Sequence, residues 1–125
     1  MFVKICGITC AEDALLATAL GADGVGFVFA PSGRQVAAPV VEDIVRQLPH
    51  EMMTVGVFRD QSREQVVKTV NEIGLRAAQL HGHESPEDCR WVAERVPVTI
   101  RALPVGSPDL ERFDEFGADL LLLDS

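Results

Sequence analysis

Basic residues are scarce in this chain: 11 Lys and Arg stand against 19 Asp and Glu, a formal net charge of −8 with a pI near 4.7. A surface for nucleic acid or for an anionic membrane needs clustered Lys and Arg, so neither partner is expected. Cysteine is also sparse. Cys6, Cys10 and Cys89 are an odd number at spacings that fit neither a disulfide framework nor paired zinc knuckles, so reduced thiols are expected, with Cys10 and Cys89 as small packing residues. No basic segment leading into an apolar stretch opens the sequence, and no apolar run is long enough to span a bilayer, which points to the cytoplasm. No Gly-x-Gly-x-x-Gly follows the first strand and no Gly-x-x-x-x-Gly-Lys loop occurs, so dinucleotide and mononucleotide sites lose support.

What is present suits one domain with a real core: 125 residues, of which 47% are hydrophobic. A short apolar run, a turn, an amphipathic stretch and then Gly or Pro recur throughout. This rhythm predicts strands at 2–6, 24–29, 53–58, 76–80, 97–102 and 119–123, alternating with helices at 11–20, 39–48, 62–73, 85–95 and 107–116. Thr9 with Glu12 is placed to cap the first helix, Ser62 the third, and Ser85 the fourth with Pro86 at its first position. Gly21, Gly74 and Gly117 each follow a helix end. Leu20-Gly21-Ala22-Asp23-Gly24-Val25 and Phe116-Gly117-Ala118-Asp119-Leu120 read as one helix-to-strand corner built twice. Val25-Gly26-Phe27-Val28-Phe29 is apolar on both faces, as a parallel strand covered by helices must be. Both an open doubly wound sheet and a (β/α)8 barrel accept this order.

In either architecture ligands collect at the C-terminal ends of the strands. The first strand delivers Cys6 there and the last delivers Asp124, so each end of the chain presents a proton-transfer group. Alternation puts Lys4 on the same face as Cys6 and one layer deeper, where an ammonium would favour the thiolate; pairing with a core carboxylate such as Asp124, or reaching out to solvent, is the competing role. Arg34 lies in the loop after the second strand, where a guanidinium can hold a carboxylate through two parallel bonds. Gln79 and His81 share a face at the end of the fourth strand and suit substrate hydroxyls. His81-Gly82-His83-Glu84 has the composition of a metal site, but alternate residues around a glycine turn rarely converge on one ion and no fourth ligand is evident, so no metal is expected. His50 reads as a surface group, and Phe27, Phe29, Phe58, Trp91, Phe113 and Phe116 as core.

Lys4-Ile5-Cys6-Gly7-Ile8-Thr9, Gly26-Phe27-Val28-Phe29, Ser32-Gly33-Arg34, Val55-Gly56-Val57-Phe58, Gln79-Leu80-His81-Gly82 and Leu123-Asp124-Ser125 occur in this order at successive strand ends. Together they resemble the phosphoribosylanthranilate isomerases of tryptophan biosynthesis, over the whole chain. The resemblance implies an α/β fold of the TIM-type (β/α)8 barrel, here running only from β1α1 through β6 as a single partial domain, 1–125, without the last two βα units and their phosphate-binding loops. It implies an Amadori rearrangement of N-(5-phosphoribosyl)anthranilate that needs no metal or organic cofactor, with Asp124 as the acid, Cys6 as the base and Arg34 on the anthranilate carboxylate; Gln79 and His81 stay pocket residues by their strand face. Asp124 must then hold a proton near neutral pH, and Cys6 must lose one. Near-inactivity alone is expected, because the phosphate anchor is missing, and β1 and β6 as open edges invite self-association. A noncatalytic half-barrel module and another phosphosugar-handling barrel enzyme are the alternatives.

Overall fold

The computed structural model describes residues 1–124. Six parallel strands run in sequence order, β1 (Lys4–Ile5), β2 (Gly24–Val28), β3 (Met53–Phe58), β4 (Ala77–Leu80), β5 (Val98–Pro104) and β6 (Leu120–Asp124). Four α-helices join the first five: α1 (Ala11–Ala19), α2 (Ala38–Arg46), α3 (Arg63–Ile73) and α4 (Pro86–Ala93). Every strand pairs in parallel with its sequence neighbours, the pattern of a barrel wall and not of a doubly wound sheet, whose order would reverse. Among the described residues no helix is long and apolar enough to cross a membrane.

The two faces of this curved sheet differ. One carries the main core, where Val25, Phe27, Phe58 and Leu80 pack against Val41, Val66, Val70, Val92 and Phe116 from the covering segments. The other is lined by Val55, Val57, Ala77 and Ile100 with Val28, Val98 and Leu122 against them, the interior side of a barrel. β6 pairs on one side only, leaving Leu120, Leu121 and Leu123 exposed, as are Phe2, Val3 and Ile5 at the β1 edge.

The repeated corner folds twice in the same way. Gly21 and Gly117 both take positive φ, at 90° and 66°, ending their helices where a side chain would strain the backbone. The following aspartate then turns back onto the neighbouring strand: Val3 N donates to Asp23 Oδ2 at 2.8 Å, and Thr99 N to Asp119 Oδ2 at 2.8 Å. Each closes the start of one strand with the carboxylate of the next.

Ser62 and Ser85 cap α3 and α4, accepting from Gln65 N and Asp88 N. Thr9 does not cap α1. Cys10 occupies that position, extended and without a side-chain bond, because the turn after β1 is used at Gly7 and the helix starts one residue later than a Thr9 cap requires. Cys10 is consequently exposed and not a packing residue. The stretch expected as a fifth α-helix is instead a 3₁₀ segment, Pro108–Phe116, kinked at Arg112. Leu110, Phe113 and Phe116 recur every third residue, which matches three residues per turn and not 3.6. Of the expected aromatic core, Phe27, Phe58 and Phe116 are buried, while Phe29, Trp91 and Phe113 are half-buried.

Candidate active site

Cys6 follows β1 and turns towards β2. An added Cβ on Gly26 would lie 2.9 Å from Cys6 Sγ, so the glycine leaves the space that the sulfur occupies. The next residue, Gly7, has φ +80°, and a Cβ there would lie 2.8 Å from Arg34 Cδ. Arg34 therefore lies across the Gly7 backbone, with Nη1 donating to Gly7 O at 3.4 Å, and its loop is held by Arg34 N donating to Ser32 Oγ at 3.1 Å. Two glycines thus bring a thiol and a guanidinium to one mouth. A cleft of about 590 Å³ opens between them, lined also by Arg59 and His81.

Arg59 and His81 also line a second hollow of about 350 Å³ that contains Asp124, Arg101 and Asp109. Apart from Arg101, which lies within β5, these residues sit at or beyond the C-terminal ends of their strands, so the two hollows share one rim. His81 joins them chemically: its Nε2 lies 3.0 Å from Asp124 Oδ2, and its Nδ1 lies 2.9 Å from Gln79 Nε2. Gln79 is 1% exposed, and its Oε1 accepts from Lys4 Nζ. Lys4 therefore pairs with a neutral amide and not with a core carboxylate. A line of side chains runs Lys4, Gln79, His81, Asp124, from the first strand to the last.

Burial holds the Lys4 ammonium below the usual lysine value of 10.5, an effect that the Cys6 charge partly offsets. Below that lowered value the folded chain bears the burial cost in full. As pH rises through it towards 10.5, the folded state has shed a proton that the unfolded chain still holds, and the cost is relieved. Stability from urea unfolding should therefore rise across this alkaline window relative to Lys4→Met; a difference between the two proteins that stays flat contradicts it.

Behind the rim lies a second polar group that the sequence did not advertise. Arg101, 2% exposed, points from β5 to the helix side and donates from Nη1 to Leu80 O (2.8 Å), Ala102 O (3.1 Å) and Glu84 Oε1 (3.2 Å), and from Nη2 to Gly82 O (3.0 Å). Its guanidinium also lies 5.1 Å from the Phe116 ring centre. Glu84 in turn accepts from Gly82 N and Asp60 N, both at 2.8 Å. Asp60 accepts from His83 N, which with the His83 ring holds its carboxyl below the usual range. His81 thus turns to Asp124, His83 to Asp60 and Glu84 to Arg101, so the three side chains of the metal-like run diverge. Among the described residues no group of three His, Cys, Asp or Glu side chains is placed to hold a metal ion.

Of the residues expected from the sequence, Cys6, Arg34 and His81 line one cleft and Asp124 meets His81 from the adjoining one, while Gln79 lies beneath the rim and not on it. Arg59 was missed, although it follows β3 as Cys6 follows β1, and strand-end position was the available signal. Cys89 is buried, and its burial pushes the thiol up to about 11. Brief alkylation of the folded protein should label Cys6 and Cys10 alone, with Cys89 reacting only after unfolding; a third adduct by mass spectrometry on the native chain would contradict this.

An unbroken parallel run of βα units with its polar groups at the C-terminal rim is the architecture of the TIM-type (β/α)8 barrels. Residues 3–125 match the family described as N-(5'phosphoribosyl)anthranilate (PRA) isomerase. The N-(5'-phosphoribosyl)anthranilate isomerase of Desulforudis audaxviator is 47% identical over 126 residues, covering 98% of this chain and 60% of that protein; that of Symbiobacterium thermophilum is 46% identical over 125 residues, covering 98% and 55%. Phosphoribosyl anthranilate isomerase from Thermus thermophilus is 45% identical with a TM-score of 0.92, over 100% of this chain and 62% of that one. A phosphoribosyl anthranilate isomerase in complex with reduced 1-(o-carboxyphenylamino)-1-deoxyribulose 5-phosphate is 41% identical with a TM-score of 0.91, over 99% and 64%. The chain belongs to the PRA isomerase family, and it spans 55% to 60% of the length of these two curated relatives.

Proposed function

We propose that these residues form the acid and base half of a phosphoribosylanthranilate isomerase, which rearranges an aminoaldose phosphate to an aminoketose phosphate. The observation that carries this reading is the shared rim: Cys6 and Asp124 come from the first and last strands, and His81 links the hollows that they line. Asp124 donates a proton to the furanose ring oxygen, the C1–O bond breaks, and the nitrogen lone pair forms the Schiff base. Cys6 as thiolate then removes the C2 proton, and the electron pair moves to give the enolamine, which tautomerises to the ketone. Arg34 beside Cys6 receives the anthranilate carboxylate through its planar fork.

The phosphate dianion calls for backbone amides and a helix N-terminus. We assign that role, with the final two βα units, to a segment outside these 125 residues. The exposed apolar side chains of β1 and β6 are the surfaces that further strands would cover, or a second copy when the chain is alone. With three free cysteines, a reducing cytoplasm is the setting that we assign. The test is loss of the fluorescence of the anthranilate substrate when this chain is mixed with the C-terminal part of its Thermus thermophilus relative. Turnover in the mixture supports the isomerase, and no turnover in any mixture supports a noncatalytic module.

A further inference from the structure

We propose that Lys4 and Gln79 are positioning residues that hold His81 as its neutral Nε2–H tautomer, so that the ring donates one hydrogen bond to Asp124 and carries no second proton on Nδ1. Donor and acceptor capacity fixes the role of each atom in the line. An ammonium has three donors and no lone pair, so the oxygen of the Gln79 amide must face Lys4. The ammonium therefore fixes the amide orientation. With Oε1 committed to Lys4, the group 2.9 Å from His81 Nδ1 is the amide NH₂, itself a donor. Nδ1 must then accept, which requires its lone pair, and the ring proton is left on Nε2. That N–H points at Asp124 Oδ2, 3.0 Å away.

Imidazolium is disfavoured by the same geometry, because a proton on Nδ1 would face the hydrogens of the Gln79 amide. Turning the amide over would present NH₂ to the ammonium. Gln79 is 1% exposed, so water is poorly placed to intervene and each mismatch costs the desolvation of a buried donor. The other charged and titratable groups lining the two hollows beside His81 are Cys6, Arg34, Arg59, His83, Arg101, Asp109 and Asp124. Arg34, Arg59, His83 and Arg101 carry basic side chains, while the two aspartates and a Cys6 thiolate favour a positive ring.

The consequence for catalysis rests on the isomerase reading; the tautomer does not. If Asp124 gives up a proton from Oδ1 to a leaving oxygen, the carboxylate left behind is stabilised by the N–H already aimed at Oδ2. His81 then assists the acid without competing with it as a proton donor.

The experiment is a long-range ¹H–¹⁵N correlation spectrum of the chain labelled with ¹⁵N-histidine at neutral pH, with His81 assigned among the three histidines from the spectrum of His81→Asn. The expected result is a single tautomer, with Nε2 pyrrole-like and Nδ1 pyridine-like. In Lys4→Met the amide is released and the His81 signals move towards a tautomer average. In Gln79→Glu a carboxylate replaces the amide and accepts from the ring, so Nδ1 becomes pyrrole-like. A wild-type ring protonated on Nδ1, or one already averaging, overturns the proposal without any variant, as does an unchanged tautomer in both variants. Absence of isomerase turnover alongside the expected spectra would remove the function and leave the tautomer standing.

Discussion

Cys6→Ala and Asp124→Asn each lower kcat/KM about 10²–10⁴-fold in the complemented isomerase assay, the range that a positioned acid or base contributes. On the proposed roles the loss should fall on kcat, because neither group is assigned a main binding contact. Arg34→Met should instead raise KM most, since the proposed fork to the substrate carboxylate is removed and the proposed acid and base are left in place. The thiol is held by local packing: an Ala at position 26 would bring its Cβ to 2.9 Å from Cys6 Sγ. Gly26→Ala should accordingly reduce turnover in the same direction as Cys6→Ala and by less. Unchanged turnover in Cys6→Ala would remove the base from this reading, whatever the other variants do.

Arg101→Leu destabilises the fold by about 3–5 kcal/mol, the cost of stranding one member of a buried ion pair. The Glu84 side chain is 6% exposed, so without the guanidinium its charge is neither solvated nor neutralised. The carbonyls of Leu80 and Gly82 lose their donor as well. Replacing both partners with leucine should cost less than the single change, because no unpaired charge is then buried. Urea unfolding of the two single variants and the double variant makes the comparison, and a double variant as unstable as the sum of the singles would show that the pair is not coupled. The single variant should also loosen the turn at Gly82 and His83, since Arg101 and Glu84 both grip its backbone.

Much of the backbone was legible from local chemistry. The β3 range matched its apolar run, Ser62 and Ser85 capped as their positions foretold, and the Gly-Ala-Asp corner closed twice through the same aspartate contact. These features rest on neighbours within a few residues, or on a motif whose partner is the adjacent strand. Elements that depend on competition between local preferences were harder. The segment before β6 has a good cap and an apolar face, but its three-residue spacing made a 3₁₀ coil, and Thr9 lost the α1 cap to a turn required by Gly7. Arg101 sits inside an otherwise apolar strand, and no local pattern says that its guanidinium will be enclosed by carbonyls from a turn some twenty residues earlier.

By itself the sequence determined the alternation of strand and helix, the acidic surface, and the delivery of Cys6, Arg34, His81 and Asp124 to strand ends, because period, turn residues and strand alternation are properties of short windows. Only the tertiary structure decided which of those groups meet. The Lys4, Gln79, His81 and Asp124 line joins residues 75, 2 and 43 positions apart. Such contacts depend on strand register and on the curvature of the whole sheet, which arise from packing summed over all its elements and are written in no single segment.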